Sequence, residues 1–385
     1  MKVFIIAGEP SGDNLGGALM AGLSALKPDV RFDGIGGPMM QAEGLQSRFD
    51  MSELSVMGLA EVLPKYFHLK RRIRETADAV IAQNPDVLIT IDSPDFCLRV
   101  AKLVKEKTDI RTVHYVAPTV WAWRPHRAEK MAQMIDHVLA LFPFEPPYMQ
   151  AHGMRCDFVG HPVVTQPQAK ADEARAFRQS HGIGAESPML LLLPGSRMGE
   201  VTRLSDRFAK AAHLFKTEHP EAHFVLPAAA PVAQYLQDHR HIWPADTVIL
   251  DPRDMVLDAA KAMKAEAFAA ADVALAASGT VSLELAAAGT PMVIAYDMNW
   301  LSRQIISRKL LIDTVTLVNL VSDTRVVPEY IGAACQPDPI ARALSDVMND
   351  PDPQISAMSL TMERLGQGGE APGLRAARAV LEGLA

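Results

Sequence analysis

The order of apolar segments along this chain predicts an α/β protein of two Rossmann-like domains, each a doubly wound parallel sheet, facing one another across a cleft. Three observations lead there. Short apolar runs alternate with longer stretches of helical period. Several of those runs end directly in turns rich in Gly, Pro or Ser. The alternation begins at Lys2, lapses near Gly160–Lys170 where Pro162, Pro167 and polar residues cluster, and starts again at Met189. Strands alternating with helices are the pattern of a parallel sheet covered on both faces.

The elements follow in order. Lys2–Ala7 reads as a buried strand, followed by a Gly/Pro/Ser turn and a helix near Asn14–Leu26. Further strands are expected at Val30–Ile35, Asp86–Ile91, Arg111–Val116, Val138–Leu141 and Cys156–Val159. The second half supplies Met189–Leu193, His223–Leu226, Thr247–Leu250, Val273–Ala276 and Met292–Tyr296. The tail from Gly366 to Ala385 reads as a turn and then a helix with an Ala/Leu face. The Ala-rich stretch Ala265–Ala288 contains Glu266, Asp272 and Glu284, so it is not a membrane span.

Composition narrows the function. With 385 residues, two or three domains are expected. A mean hydropathy near zero predicts a soluble chain, and no export signal follows Met1-Lys2. A net charge of −7 argues against a general nucleic-acid binder. Cys97, Cys156 and Cys335 are widely separated and form neither a disulfide framework nor a zinc pattern, which points to a reducing compartment.

Two turns in the second half suit a phosphate. One is Pro194-Gly195-Ser196-Arg197 after a strand; the other is Ser278-Gly279-Thr280 after another. Helix N-termini at strand ends offer free N–H groups and a favourable dipole. Ser278 and Thr280 add hydroxyls, and Arg197 adds a bidentate fork. Glu284, one turn past Thr280, suits a ribose diol. Together these favour a nucleotide diphosphate; separately, each is an ordinary strand-to-helix turn. No Walker A loop and no Gly-x-Gly-x-x-Gly is present. The one Asp-x-Asp, Asp350-Pro351-Asp352, reads as a loop, so no metal or other cofactor is expected. Leaving-group charge then falls to Arg197 and helix N-termini.

The first half is the candidate acceptor side. Ser11, Gly12 and Asp13 follow the first strand, where Ser11 either contacts substrate or caps the helix. Asp92 and Asp95 lie in Ile91-Asp92-Ser93-Pro94-Asp95-Phe96, and either one suits a general base, with helix capping as the plain alternative. His114, Trp121 and Trp123 follow a further strand and suit a sugar face or acyl chain, with core packing as the alternative. His161, in Val-Gly-His-Pro, reads as structural. Val56–Arg74 places Met57, Leu59, Val62, Leu63 and Phe67 beside Lys70, Arg71 and Arg72, with five Lys/Arg and no acid between Lys65 and Arg74. That mixture suits an interfacial helix on anionic lipid, or a core-facing helix with a solvated basic face. Pro64 predicts a kink or two short helices.

Seven segments in this order resemble the lipid-A-disaccharide synthase family over essentially the whole chain: AGEPSGD at 7–13, IDSPDF at 91–96, HYVAPTVWAWRPHR at 114–127, LFPFEPPYM at 141–149, VGHPV at 159–163, LLPGSR at 192–197 and ASGTVSLE at 277–284. The resemblance implies a GT-B fold and an inverting, metal-independent transfer. UDP-2,3-diacylglucosamine would be the donor and 2,3-diacylglucosamine 1-phosphate (lipid X) the acceptor. It implies Asp95 as the favoured catalytic residue, Arg197 on the diphosphate, and Glu284 and Asn319 near the nucleotide. It implies residues 1–165 plus a returning helix in 366–385 as the acceptor domain, and 166–365 as the donor domain. It also implies cytoplasmic placement with peripheral contact at the anionic inner membrane. The sequence departs from the family at Val318 and Gly332, where Pro and Gln are usual. Nothing in the sequence specifies an oligomeric state. A UDP-sugar epimerase, a peptidoglycan-precursor transferase and a non-catalytic nucleotide-sugar sensor fit the fold equally well. The lipid-facing stretch and the paired strand-end aspartates favour the acyl-sugar transferase.

Overall fold

The structure is a computed structural model that describes residues 1–54, 59–298 and 310–384, with the backbone alone for 59–66. Two compact units are present: Met1–Thr165 together with Leu365–Ala385, and Gln166–Arg364.

The first unit is built on six parallel strands: β1 Lys2–Ala7, β2 Arg31–Ile35, β3 Val87–Ile91, β4 Arg111–Tyr115, β5 His137–Ala140 and β6 Arg155–Phe158. Their order is β2-β1-β3-β4-β5-β6. The chain leaves β1 toward β2 on one side and returns to β3 on the other, so the winding reverses between β1 and β3. There Ala7 lies opposite Ile91. In β3, Val-Leu-Ile-Thr-Ile is buried throughout, the continuous apolar run of a strand covered on both faces.

The second unit repeats the plan. Its strands are β7 Met189–Leu193, β8 His223–Pro227, β9 Val248–Leu250, β10 Val273–Ala276, β11 Met292–Tyr296 and β12 Glu329–Ile331. The order is β12-β11-β10-β7-β8-β9, all parallel, and the reversal falls between β7 and β10. Leu190, Leu192, Phe208, Phe215, Phe224 and Leu275 fill one layer between this sheet and its helices.

Eleven of these strands match the sequence expectation to within a residue or two. Strand β12 was not expected. It is three half-buried residues at the sheet edge, too short for a periodicity. The helix after β1 runs Pro10–Leu26, so it starts earlier than Asn14. One helix spans Leu59–Gln83 without a break at Pro64, so of the two expectations the pair of short helices is not met. Pro64 lies in its second turn, so the lost N–H removes one bond close to an end that already lacks four.

The terminal helix Pro372–Leu384 packs on the Pro10–Leu26 helix. Small residues make this possible. A Cβ on Gly22 would lie 2.7 Å from the Gly373 carbonyl, and one on Gly373 would lie 2.5 Å from the Ala18 carbonyl. The two segments joining the units are tied together inside the first unit, where the His161 N–H donates to the Leu365 carbonyl at 3.2 Å. Arg375 adds a bond to the Phe158 carbonyl at 3.0 Å.

Candidate active site

Ligands of open α/β sheets bind outside the carboxyl ends of the strands where the winding reverses. Both reversals here carry the motifs singled out in the sequence.

In the second unit, β7 runs into Pro194-Gly195-Ser196-Arg197 and β10 into Ala277-Ser278-Gly279-Thr280. The Ala277 N–H donates to the Leu193 carbonyl at 2.9 Å, so the two turns leave side by side. They line a cavity of about 620 Å³ that includes Gly195, Ser196, Arg197, Ser278, Gly279, Thr280 and Glu284. Gly195 and Gly279 have φ of +122° and +153°, a region L side chains rarely adopt, and a Cβ on Gly195 would sit 2.8 Å from the Glu200 carboxylate. The Met198–Glu218 and Val281–Ala288 helices begin at these turns with no side-chain cap, although the Glu200, Ser282 and Leu283 N–H groups already bond back to the Arg197, Gly279 and Thr280 carbonyls.

The cavity is lined by both cationic and apolar side chains. Arg197 is well exposed and only loosely paired, at 3.5 Å from Glu200. Lys264 reaches Glu284 at 2.6 Å, and Lys261 also lines the wall. Pro227, Ala228, Leu250, Pro252 and Phe268 form the apolar side. Sequence reasoning missed Lys261, Lys264 and this apolar wall. They come from segments that carry no local motif, and only the sheet order gathers them. Asn319 is not brought to the cavity. It is buried, with its amide donating to the Val327 carbonyl at 3.0 Å and its oxygen accepting from the Val327 N–H at 3.0 Å. Glu329, whose carboxylate accepts from the Thr316 N–H at 2.7 Å, braces the same loop.

In the first unit the reversal holds Gly8–Asp13 after β1 and Asp92–Asp95 after β3. Asp92 and Ser93 have φ of +49° and +41°, and Val116, after the neighbouring β4, has +84°. Such values for non-glycine residues cost of order 1–3 kcal/mol each and cluster at functional sites. A Cβ on Gly8 would meet the Ser93 hydroxyl at 2.6 Å, so any side chain there would force Ser93 to move. Burial raises the Asp92 carboxyl above its usual value, and the Ser93 backbone N–H partly offsets that. Asp95 is exposed in the first turn of the Pro94–Lys105 helix. Ser11 is exposed within the first turn of its helix; Glu9 holds the cap position, so Ser11 is not the cap.

Several expected acceptor contacts have other duties. Asp13 is buried and accepts from the N–H groups of Gly37, Met39 and Met40 at 2.8, 2.9 and 3.1 Å, which caps the Pro38–Ala42 helix. Gly12 packs against Ala7 and Ile91. His114 is inside β4 and not in the loop after it, with its Nδ1 2.8 Å from the Thr90 hydroxyl. Burial lowers it to about 4, so it is neutral. Trp121 is buried against Phe142 and Phe144 and donates to Glu145 at 3.2 Å. Trp123 is the more open of the two tryptophans. Glu145 itself escaped the sequence reading. It is 2% exposed and pushed up to about 7 by burial.

On the Leu59–Gln83 helix, Phe67 is 80% exposed, and Lys70 and Arg71 are exposed. Arg72 forks onto Glu53 at 2.8 and 2.9 Å and stacks on Phe49, so it belongs to the fold. Met57 and the side chains of Leu59, Val62 and Leu63 lie outside the described residues. Among the described residues, no group of three or more His, Cys, Asp or Glu side chains is placed to hold a metal. Nor is any helix there long and apolar enough to cross a membrane.

Comparison with known proteins gives the fold and the family. In fold, the chain is similar to UDP-GlcNAc 2-epimerase from Neisseria meningitidis bound to UDP-GlcNAc. The TM-score is 0.62 at 12% identity, covering 100% of this chain and 99% of that one. In sequence, it is 65% identical over 384 residues to lipid-A-disaccharide synthase of Ruegeria pomeroyi, covering 100% of this chain and 96% of the relative. It is 44% identical to the same enzyme of Rhodospirillum centenum, covering 99% and 94%. The sequence profile of the lipid-A-disaccharide synthetase family matches residues 3–378. With a family match across nearly its whole length and the two-sheet GT-B architecture beneath it, this chain belongs to the lipid-A-disaccharide synthase family of glycosyltransferases.

Proposed function

We propose that the chain condenses UDP-2,3-diacylglucosamine with 2,3-diacylglucosamine 1-phosphate, giving the β-1′,6-linked disaccharide 1-phosphate and UDP. The observation that carries this reading is the contrast between the two reversals. One is an open cavity with Arg197 and two uncapped helix starts; the other is a strained turn with two carboxylates.

The UDP group takes the second-unit cavity. Its diphosphate lies against Arg197 and the N–H groups around Gly279 and Thr280. Its base lies on the apolar wall, and its ribose hydroxyls donate to Glu284 in exchange for the present Lys264 contact. Asn319 acts one step away, by fixing the loop ahead of β12.

Asp95 removes the proton from the acceptor 6-hydroxyl, with Asp92, whose carboxyl is raised above its usual value by burial, as the neighbouring candidate. The freed oxygen attacks the anomeric carbon from the face opposite UDP. A C–O bond forms, the bond to the diphosphate breaks with its electrons, and the configuration inverts. Arg197 and the amides take up the charge developing on the leaving diphosphate.

Residues 1–165 with 366–385 serve as the acceptor domain and 166–365 as the donor domain. The Leu59–Gln83 helix, with Phe67, Lys70 and Arg71 exposed, rests on the anionic cytoplasmic face of the inner membrane. No nucleic acid is a partner.

The test is a product assay with both acylated sugars in detergent, with and without EDTA, read by mass spectrometry. Disaccharide 1-phosphate and UDP in equal amounts under both conditions support the reading. UDP binding without any disaccharide would transfer the case to the epimerase or sensor.

A further inference from the structure

The loop after β4 contains groups that the scheme above leaves unused. Its base is rigid. Trp121 donates to one Glu145 oxygen, and the other accepts from the N–H groups of Leu141 and Phe142 at 3.1 and 3.0 Å. Beyond this anchor the loop presents Trp123 and Arg124. The Trp123 indole N–H is held by the Thr119 hydroxyl at 3.3 Å. The Arg124 guanidinium lies over the Trp123 ring, 4.0 Å from its centroid. Arg124 is exposed, with backbone φ of +54°, and among the described residues it forms no ion pair.

This pair has a specific chemistry. Stacking occupies the face of a guanidinium, while its five N–H donors lie in the plane and remain available. A planar fork beside an aromatic face matches a sugar ring bearing a phosphate: the ring on or beside the indole, the phosphate bidentate on the guanidinium. The location fits as well. The Asp92 N–H donates to the Tyr115 carbonyl at 3.0 Å, so the loop and the candidate bases leave from adjacent strand ends.

We propose that Trp123 and Arg124 form a subsite for a glycosyl phosphate monoester, namely the 1-phosphate of the acceptor sugar. This rests on the acceptor assignment above. The same phosphate chemistry is offered by phospholipid headgroups, so the experiment separates the two sources.

Full-length wild type and Arg124→Asn are compared, asparagine being tolerated in left-handed backbone. Acceptor KM is measured with 2,3-diacylglucosamine 1-phosphate and with its dephosphorylated counterpart. Binding of D-glucosamine 1-phosphate is followed separately by ³¹P NMR. The expected result is a roughly 10- to 100-fold rise in KM for the phosphorylated acceptor. Preference for the phosphate should vanish, donor KM should hold, and ³¹P broadening should be lost, with Arg124→Lys restoring part. Retained preference for the phosphorylated acceptor in Arg124→Asn overturns the proposal. So does an equal rise for both acceptors with sugar-phosphate binding intact, the signature of a headgroup contact. If wild type makes no disaccharide yet binds D-glucosamine 1-phosphate through Arg124, the subsite stands and the reaction assigned above falls.

Discussion

The two sheet reversals solve the same problem with different materials. At β7/β10 the sharp turns use glycine, at Gly195 and Gly279, and leave an open cavity lined by Arg197, Lys261 and Lys264. At β1/β3, Asp92 and Ser93 take left-handed backbone themselves, and Val116 does so beside them. Glycine suits a place where backbone amides must approach a diphosphate closely. Side chains held in strained backbone suit a place where a carboxylate must be aimed.

The largest expected effects test that division directly. Asp95→Asn should lower kcat by roughly 100- to 10,000-fold with donor binding kept. Arg197→Ala should lower it by roughly 100- to 1,000-fold and weaken UDP binding as well. Stopped turnover with intact UDP titration for the first, and lost UDP titration for the second, would sharpen the contrast. An Asp95→Asn variant with most of its kcat would move the base to Asp92.

Acid should separate the units next. His114 and His161 are buried in the first unit, and burial lowers both to about 4. A depressed histidine pKa means the unfolded chain takes up protons that the folded one refuses. The histidine contribution is therefore whole above pH 6.5 and falls as pH drops toward 4; Glu145, pushed up to about 7, works the other way and offsets about one of the two histidines, leaving a net loss. Each site is worth on the order of 3 kcal/mol over that window. No histidine of the second unit is among the buried residues described. Hydrogen exchange at pH 5 should open β4 before β7, and His114→Gln should narrow the gap. Simultaneous opening would break the comparison.

Membrane contact should follow the first unit alone. Lys70→Gln with Arg71→Gln should weaken binding to phosphatidylserine vesicles by about 2 kcal/mol, at ~1 kcal/mol per charge. Unchanged sedimentation with vesicles would return this helix to an ordinary solvated face. The smallest effect concerns strain. Ser93→Gly should raise stability by about 1 kcal/mol, seen as a higher Tm, while lowering kcat. A Tm that falls would mean the turn is not strained.

Much of this was legible in the sequence because parallel strands buried on both faces read as unbroken apolar runs. Met189–Leu193 and Val273–Ala276 were read to the residue for that reason. The two turns that line the second-unit cavity were legible because their Gly and Ser pattern is local. What stayed hidden was long-range. Asp13 resembled a site residue, but its partners Gly37 and Met40 lie across a helix and a strand. Arg72 resembled a lipid contact until Glu53 was found opposite it. His114 resembled a loop residue, although strand parity turns it toward Thr90. Glu145 carried no pattern of its own, because its importance arises from burial beside Trp121.

The seating of Pro372–Leu384 against Pro10–Leu26 bears on how this protein is made. The second unit is one continuous stretch, whole as soon as residue 364 has left the ribosome. The first unit begins earlier in synthesis yet is completed later, because its Pro372–Leu384 helix follows the second unit in the chain. The Gly22 face of the Pro10–Leu26 helix therefore gains its Gly373 partner only after the second unit has been made. The order of synthesis and the order of completion are opposite in this chain.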